Sequence, residues 1–175
     1  SAVVYMYYMF RGASMFAYAS SYTCTTCSTA PPPSTRTSPR GTRLRFYKDI
    51  SSWDTSAYMG AVLDMGFMFY GATSFDKDIS SWDTSAVTTM AAMFYGATSF
   101  DKGISSWNTS SVLYMSYMFY GAISFNKDLN SWNTSAVRNM NGMFNGASSF
   151  DKDISSWNTS AALYMRYVFR GASSF

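Results

Sequence analysis

The chain has 175 residues, 13 of them basic and 10 acidic, with no histidine and an aromatic share of 19%. That length suffices for one domain with a continuous core. The longest apolar runs fall far short of a membrane span, and the missing histidine removes the commonest general base and metal ligand at neutral pH.

Residues 1–16, ending in MFRGASMF, form the second half of a unit that returns throughout the chain. Ser1 opens it without a basic segment, so no signal peptide is expected in this sequence. Ala17 to Phe46 then interrupts the pattern. This segment holds all four prolines (Pro31, Pro32, Pro33, Pro39), both cysteines and four of the arginines, Arg36, Arg40, Arg43 and Arg45, with no acid. It therefore carries +4 and leaves nine bases against ten acids, −1, for the rest of the chain. Such a composition predicts an irregular surface loop. Cys24 and Cys27 form a C-x-x-C, but redox or zinc chemistry would need a helix N-terminus or a second ligand pair, so a local disulfide or two free thiols is expected. The arginines of the loop could touch phosphate or anionic polysaccharide. Without a matching basic face in the repeats, nucleic-acid binding is not expected.

The frame resumes at YKDISSW and slips once more near Tyr58 to Met65, where Trp53 and Trp82 stand twenty-nine residues apart. From Ile79 onward a period of twenty-five residues is kept without a break. Phe75, Phe100, Phe125, Phe150 and Phe175 mark it, as do Trp82, Trp107, Trp132 and Trp157. Self-similarity of this length points to a stacked repeat solenoid of about five turns over residues 47–175. Within the unit, Phe75, Ile79 and Trp82 among polar residues read as a short extended segment. Val87, Met90, Met93 and Phe94 have the spacing of one face of a short helix, with Thr84 or Ser85 as its N-cap and Gly96 at its end.

The columns identify the inside. Eleven of the thirteen methionines fall in two of them, headed by Met6 and Met9 and including Met90 and Met93, and a phenylalanine column including Phe94 runs beside them. Such strict recurrence with phenylalanine reads as core rather than as a methionine-rich binding groove. One coil buries too little to stand alone, so its neighbours must complete it.

The polar columns carry the candidate sites. Asp54, Asp83, Asn108, Asn133 and Asn158 each precede Thr-Ser. The three asparagines form N-x-S sequons, candidate glycosylation sites in a secreted eukaryotic protein, and the same column can equally form Asx turns. Lys48, Lys77, Lys102, Lys127 and Lys152, flanked by aspartates, read as a solvated face of interleaved charge. Tyr70, Tyr95 and Tyr120, with Tyr8, Tyr117 and Tyr167, lie beside the core columns as an aromatic outer face suited to lateral assembly or glycan stacking. Every polar group recurs and no unique catalytic set or cofactor motif emerges, so no enzyme is expected.

The unit D-I-S-S-W-D-T-S-A-V-T-x-M-x-x-M-F-x-G-A-x-S-F resembles the repeat of BspA-like bacterial surface proteins, which are related to leucine-rich repeats. The resemblance covers 47–175 and part of 1–16, and the insertion 17–46 departs from it. It implies a right-handed solenoid with short parallel strands on one side and short helices on the other, in an extracellular or cell-surface setting. The in-phase ends without a polar capping repeat lead us to expect a filament of copies stacked end to end. The alternative is a monomeric adhesion module that binds glycan or protein, and ice binding through Thr55, Thr84, Thr109, Thr134 and Thr159 is a third reading.

Overall fold

The computed structural model describes residues 62–175, together with the backbone of Val4–Tyr5. The remainder of 1–16, the insertion 17–46 and residues 47–61 lie outside the described residues. Cys24, Cys27, Thr55 and the four insertion arginines lie there too.

Two strands form, β1 (Val4–Tyr5) and β2 (Val62–Asp64), and they pair in parallel. Val4 faces Val62 and Tyr5 faces Asp64, so Leu63 sits in a register shift that falls within the slip near Tyr58 to Met65. The row does not stop there. Single parallel bridges join Asp64 to Thr89, Thr89 to Tyr114, Tyr114 to Asn139 and Asn139 to Tyr164. Residues one period apart are therefore direct neighbours, and each coil of the chain lies on the next.

The segment read as a helix is not helical. A helix would bond the Phe94 amide to the Met90 carbonyl, four residues back. Instead that amide donates to Met118 O in the next coil at 2.9 Å. The amides of Met90, Ala92 and Gly96 likewise leave for Tyr114, Ser116 and Tyr120 at 2.7–2.9 Å. The intervening amides of Met93, Tyr95 and Ala97 close tight turns onto Met90, Ala92 and Phe94 at 3.0–3.2 Å. Alternate amides thus serve the neighbouring coil and the local turn. The turns 90–93 and 94–97 each hold a left-handed residue in third position, Ala92 (φ 52°) and Gly96 (φ 64°), where a helix cannot continue. Two linked turns face Met90, Met93 and Phe94 inward just as a helix would, so the apolar spacing could not separate the two.

The other half of the unit is not a strand either. The Trp82 amide closes a turn onto Ile79 O at 3.2 Å, which folds the segment out of an extended path. Side chains bond the coils here. Trp107 Nε1 donates to Ile79 O at 3.0 Å, Ser106 Oγ to Ser80 O at 2.7 Å, and the Asp101 amide to Asp76 Oδ1 at 3.0 Å. The expected N-caps have other work. Thr84 Oγ1 donates to Asn108 O in the next coil at 3.0 Å, and the Ser85 amide donates to Asp83 Oδ1 at 2.9 Å.

The core is a set of continuous columns. Met90, Met93, Phe94, Ile79 and Phe100 are fully buried, as are their counterparts in the next two coils, through Met140, Met143, Phe144, Leu129 and Phe150. Phe94 lies 5.4 Å from Phe69 and 5.6 Å from Phe119, its ring nearly parallel to both. Within its own coil it stacks on Phe100 at 4.1 Å. Trp82, Trp107 and Trp132 are buried, Trp157 is half-buried, and Trp132 lies 6.5 Å from Trp107 and 6.4 Å from Trp157. No buried side-chain nitrogen or oxygen among the described residues lacks a partner.

Candidate functional site

The coils present two outer surfaces of different character. The first belongs to the half-coil 75–85 and its repeats. Lys102 pairs with Asp76 of the preceding coil at 2.8 Å and Lys127 with Asp101 at 2.7 Å. Lys152 breaks the series because its counterpart position is Asn126, and it pairs with adjacent Asp151 at 2.8 Å instead. Restoring the carboxylate with Asn126→Asp is expected to draw Lys152 across to the preceding coil. The Asp151 carboxyl, now held below its ordinary range first by Lys152 and then by Asn126, should then titrate higher, as NMR would show.

Hydrogen bonds lower the carboxyls of Asp83 and Asp153 as well, from Ser85 and Ser155 respectively. Groups lowered in this way stabilise the fold above their ordinary values, and the contribution is lost as pH falls through the lowered ones. At the alkaline end Lys102 is raised by its bond to Asp76, and Tyr95 is raised by burial and then by its neighbours Tyr120 and Tyr70. Their stabilisation is complete below the ordinary lysine and tyrosine values and is lost as pH rises through the raised ones. The melting temperature should therefore be flat near neutrality and fall on both sides, most simply followed by circular dichroism across pH.

Asn108 and Asn133 are exposed, and each accepts from the backbone amide and hydroxyl of the serine two residues on, at 3.1 and 2.7 Å. Asn158 accepts from the Ser160 amide at 3.0 Å. All three sit in Asx turns. The threonine column differs from its ice-binding reading: Thr84, Thr109 and Thr134 are buried, each spending its hydroxyl on the next coil's backbone, so they form no exposed rank.

The second surface is built by residues 88–95 and their repeats, where the interlocked turns face outward. Tyr70, Tyr95 and Tyr120, all half-buried, stack in a row at 4.5 and 4.4 Å. Tyr117 meets Tyr120 edge-on at 6.2 Å and covers Gly142, where a Cβ would come within 2.6 Å of its ring. Tyr167 lies apart from that row, in the final coil, with the Arg170 guanidinium 5.5 Å from its ring centre.

Sequence reasoning singled out the tyrosines here and missed their companions. The half-coil 75–87 repeats almost unchanged, whereas the outward positions of Thr88, Thr89, Ala91 and Ala92 differ between every pair of adjacent coils. The position of Thr88 becomes Leu113, Arg138 and Leu163; that of Thr89 becomes Tyr114, Asn139 and Tyr164; that of Ala91 becomes Ser116, Asn141 and Arg166. The tyrosine row itself ends in Asn145 and Arg170. The available signal was the failure to recur, which a search for recurring columns passes over. Charge is divided too. Asp64 is the one acid among the described residues of this surface, while Arg138, Arg166 and Arg170 all belong to it and are exposed.

Two shallow recesses, one lined by Asp151–Ser155 with Ser174 and Phe175 and one by Asn141 with 163–166, both border the final coil, as steps at its open side. Among the described residues no group of three or more Asp, Glu, His or Cys is placed to hold a metal, and no helix is long and apolar enough to cross a membrane.

No curated protein and no solved structure matches the chain. The family described as Mycoplasma protein of unknown function, DUF285, matches it twice, over residues 40–113 and 102–175, each span close to three periods. Those spans cover the greater part of the sequence, and the chain belongs to this repeat-containing family.

Proposed function

We propose that the chain is an extracellular or cell-surface adhesion module, a leucine-rich-repeat-like solenoid of the BspA-like kind. Its stack is the scaffold, and its changing face meets the partner. One observation carries the reading. Substitutions between coils gather on the outward turns, whereas the buried methionine, phenylalanine and tryptophan columns hardly change. A purely structural stack has no use for that division, since identical outward residues would stack equally well. Aromatic residues with polar tips suit such a face because they give large contact area at small entropic cost. Enzymatic activity forms no part of the proposal. Beads coated with the protein should adhere to a glycan array or to immobilised extracellular proteins. The triple variant Tyr95→Ser, Tyr117→Ser and Tyr120→Ser should lose that adhesion, and Lys102→Ala with Lys127→Ala should keep it. Adhesion that survives the tyrosine changes sinks the reading.

A second reading, assembly end to end, rests on the final coil. There Met165 is 45% and Phe175 55% exposed, against 1% and 0% for Met140 and Phe150 one coil earlier. Another coil of the same pattern would cover them, whether it continues the same chain or comes from a second copy. Light scattering decides: mass rising with concentration favours the second copy, and constant mass removes it.

A further inference from the structure

We propose that the arginine-bearing end of the changing face binds an acidic glycan, a chain of sugar rings carrying carboxylates; the proposal rests on the adhesion reading and names its ligand. Arg138, Arg166 and Arg170 stand on two adjacent coils, all exposed, and none forms an ion pair among the described residues. Exposed tyrosines lie among them. Tyr164 is 55% and Tyr167 63% exposed, and the equivalent Tyr114 and Tyr117 of an interior coil remain 43% and 44% exposed. A tyrosine at these positions is therefore open in an interior coil as well as in the final one. Arg170 already rests on the Tyr167 ring, which holds the guanidinium beside a flat apolar surface. Such a pair matches a uronic acid, whose C–H face stacks on the ring while its carboxylate takes the guanidinium fork. Asn141 and Asn145 on the neighbouring coil add amides that can serve hydroxyls.

Other occupants fit less well. A peptide adding itself as a strand needs free backbone groups, which among the described coils the final one offers, but backbone pairing there would give the exposed guanidiniums of Arg138, Arg166 and Arg170 no role. A nucleic-acid strand needs a basic track along its backbone, and the coils from Leu63 to Tyr120 carry no arginine on this face. A second copy would have to offer free carboxylates. Among the described residues those of the first surface are engaged: Asp76, Asp101 and Asp151 with lysines, and Asp78, Asp83, Asp128 and Asp153 with amides two residues on.

Titration calorimetry of the full chain tests this with tetragalacturonic acid, maltotetraose, a hexaglutamate peptide and an oligothymidylate. Tetragalacturonic acid should bind. Arg166→Ala with Arg170→Ala should weaken it about tenfold or more, as loss of charge-assisted bonds requires. Tyr167→Ala should weaken it comparably, while Lys102→Ala with Lys127→Ala should leave it unchanged, and the arginine and tyrosine variants should keep the parent melting temperature. Equal binding of maltotetraose overturns the acidic ligand yet leaves the adhesion reading standing, since bead adhesion measures that separately. Preference for the peptide or the oligonucleotide, or no binding of tetragalacturonic acid, overturns it, as does an arginine-dependent doubling of mass in light scattering.

Discussion

Replacing Trp132 with alanine should destabilise the protein by about 3–5 kcal/mol, among the largest effects of any single truncation here. The indole is only 3% exposed and lies between Trp107 and Trp157, with Phe119 6.3 Å away. Its Nε1 donates to Ile104 O in the preceding coil at 3.0 Å, so truncation opens a cavity and also removes one of that carbonyl's two donors, leaving it the Trp107 amide at 3.2 Å. Trp132→Phe separates the two, because it keeps most of the packing and loses only the donor. Its smaller cost, about 1–2 kcal/mol, should appear alongside the alanine variant in urea unfolding monitored by circular dichroism.

Gly121→Val should be similarly severe for a different reason. Gly121 has φ 64°, and a left-handed backbone alone costs an L-residue about 1–2 kcal/mol, more when it is β-branched. The glycines also form a column. A Cβ on Gly121 would stand 3.9 Å from the Gly96 Cα, and one on Gly146 would stand 3.7 Å from the Gly121 Cα. A Cβ alone therefore fits, but the valine methyls beyond it must enter the space between coils. Gly121→Ala should cost only the backbone strain, and a melting-temperature series of glycine, alanine and valine would resolve the two contributions. Equal losses for alanine and valine would remove the steric part of the argument.

Much of the inside was legible in the sequence because it recurs. Met90, Met93, Phe94 and the tryptophans occupy fixed columns, and only a stack brings like residues together that way. Local conformation was less legible. The spacing of Met90, Met93 and Phe94 is shared by a helix and by two linked turns, and nothing local says whether the Phe94 amide bonds backward or outward. Gly96 was identified as left-handed, but as a helix end rather than a turn position. Ala92 (φ 52°) and Tyr117 (φ 58°) share that backbone form without any glycine to announce it. Recurrence also carries no direction. The threonine column reads as a surface rank, yet the hydroxyls of Thr84, Thr109 and Thr134 face the next coil's carbonyls from the inside, and among the described threonines of the column Thr159 of the final coil is exposed. At the candidate site the tyrosines were legible as an outer row, while Arg138, Arg166 and Arg170 were not, because none recurs from one coil to the next.

The alternation of amides between local turn and neighbouring coil has a mechanical consequence. Each coil is fastened to the next by a short set of bonds acting side by side, and little else of the backbone bridges the gap. Tension applied to the two ends of the chain should therefore part it like a zip, from one end, a full circuit at a time. Each circuit frees twenty-five residues, a contour gain of about 8 nm at roughly 3.3–3.6 Å per residue, so force–extension traces should step by that quantum.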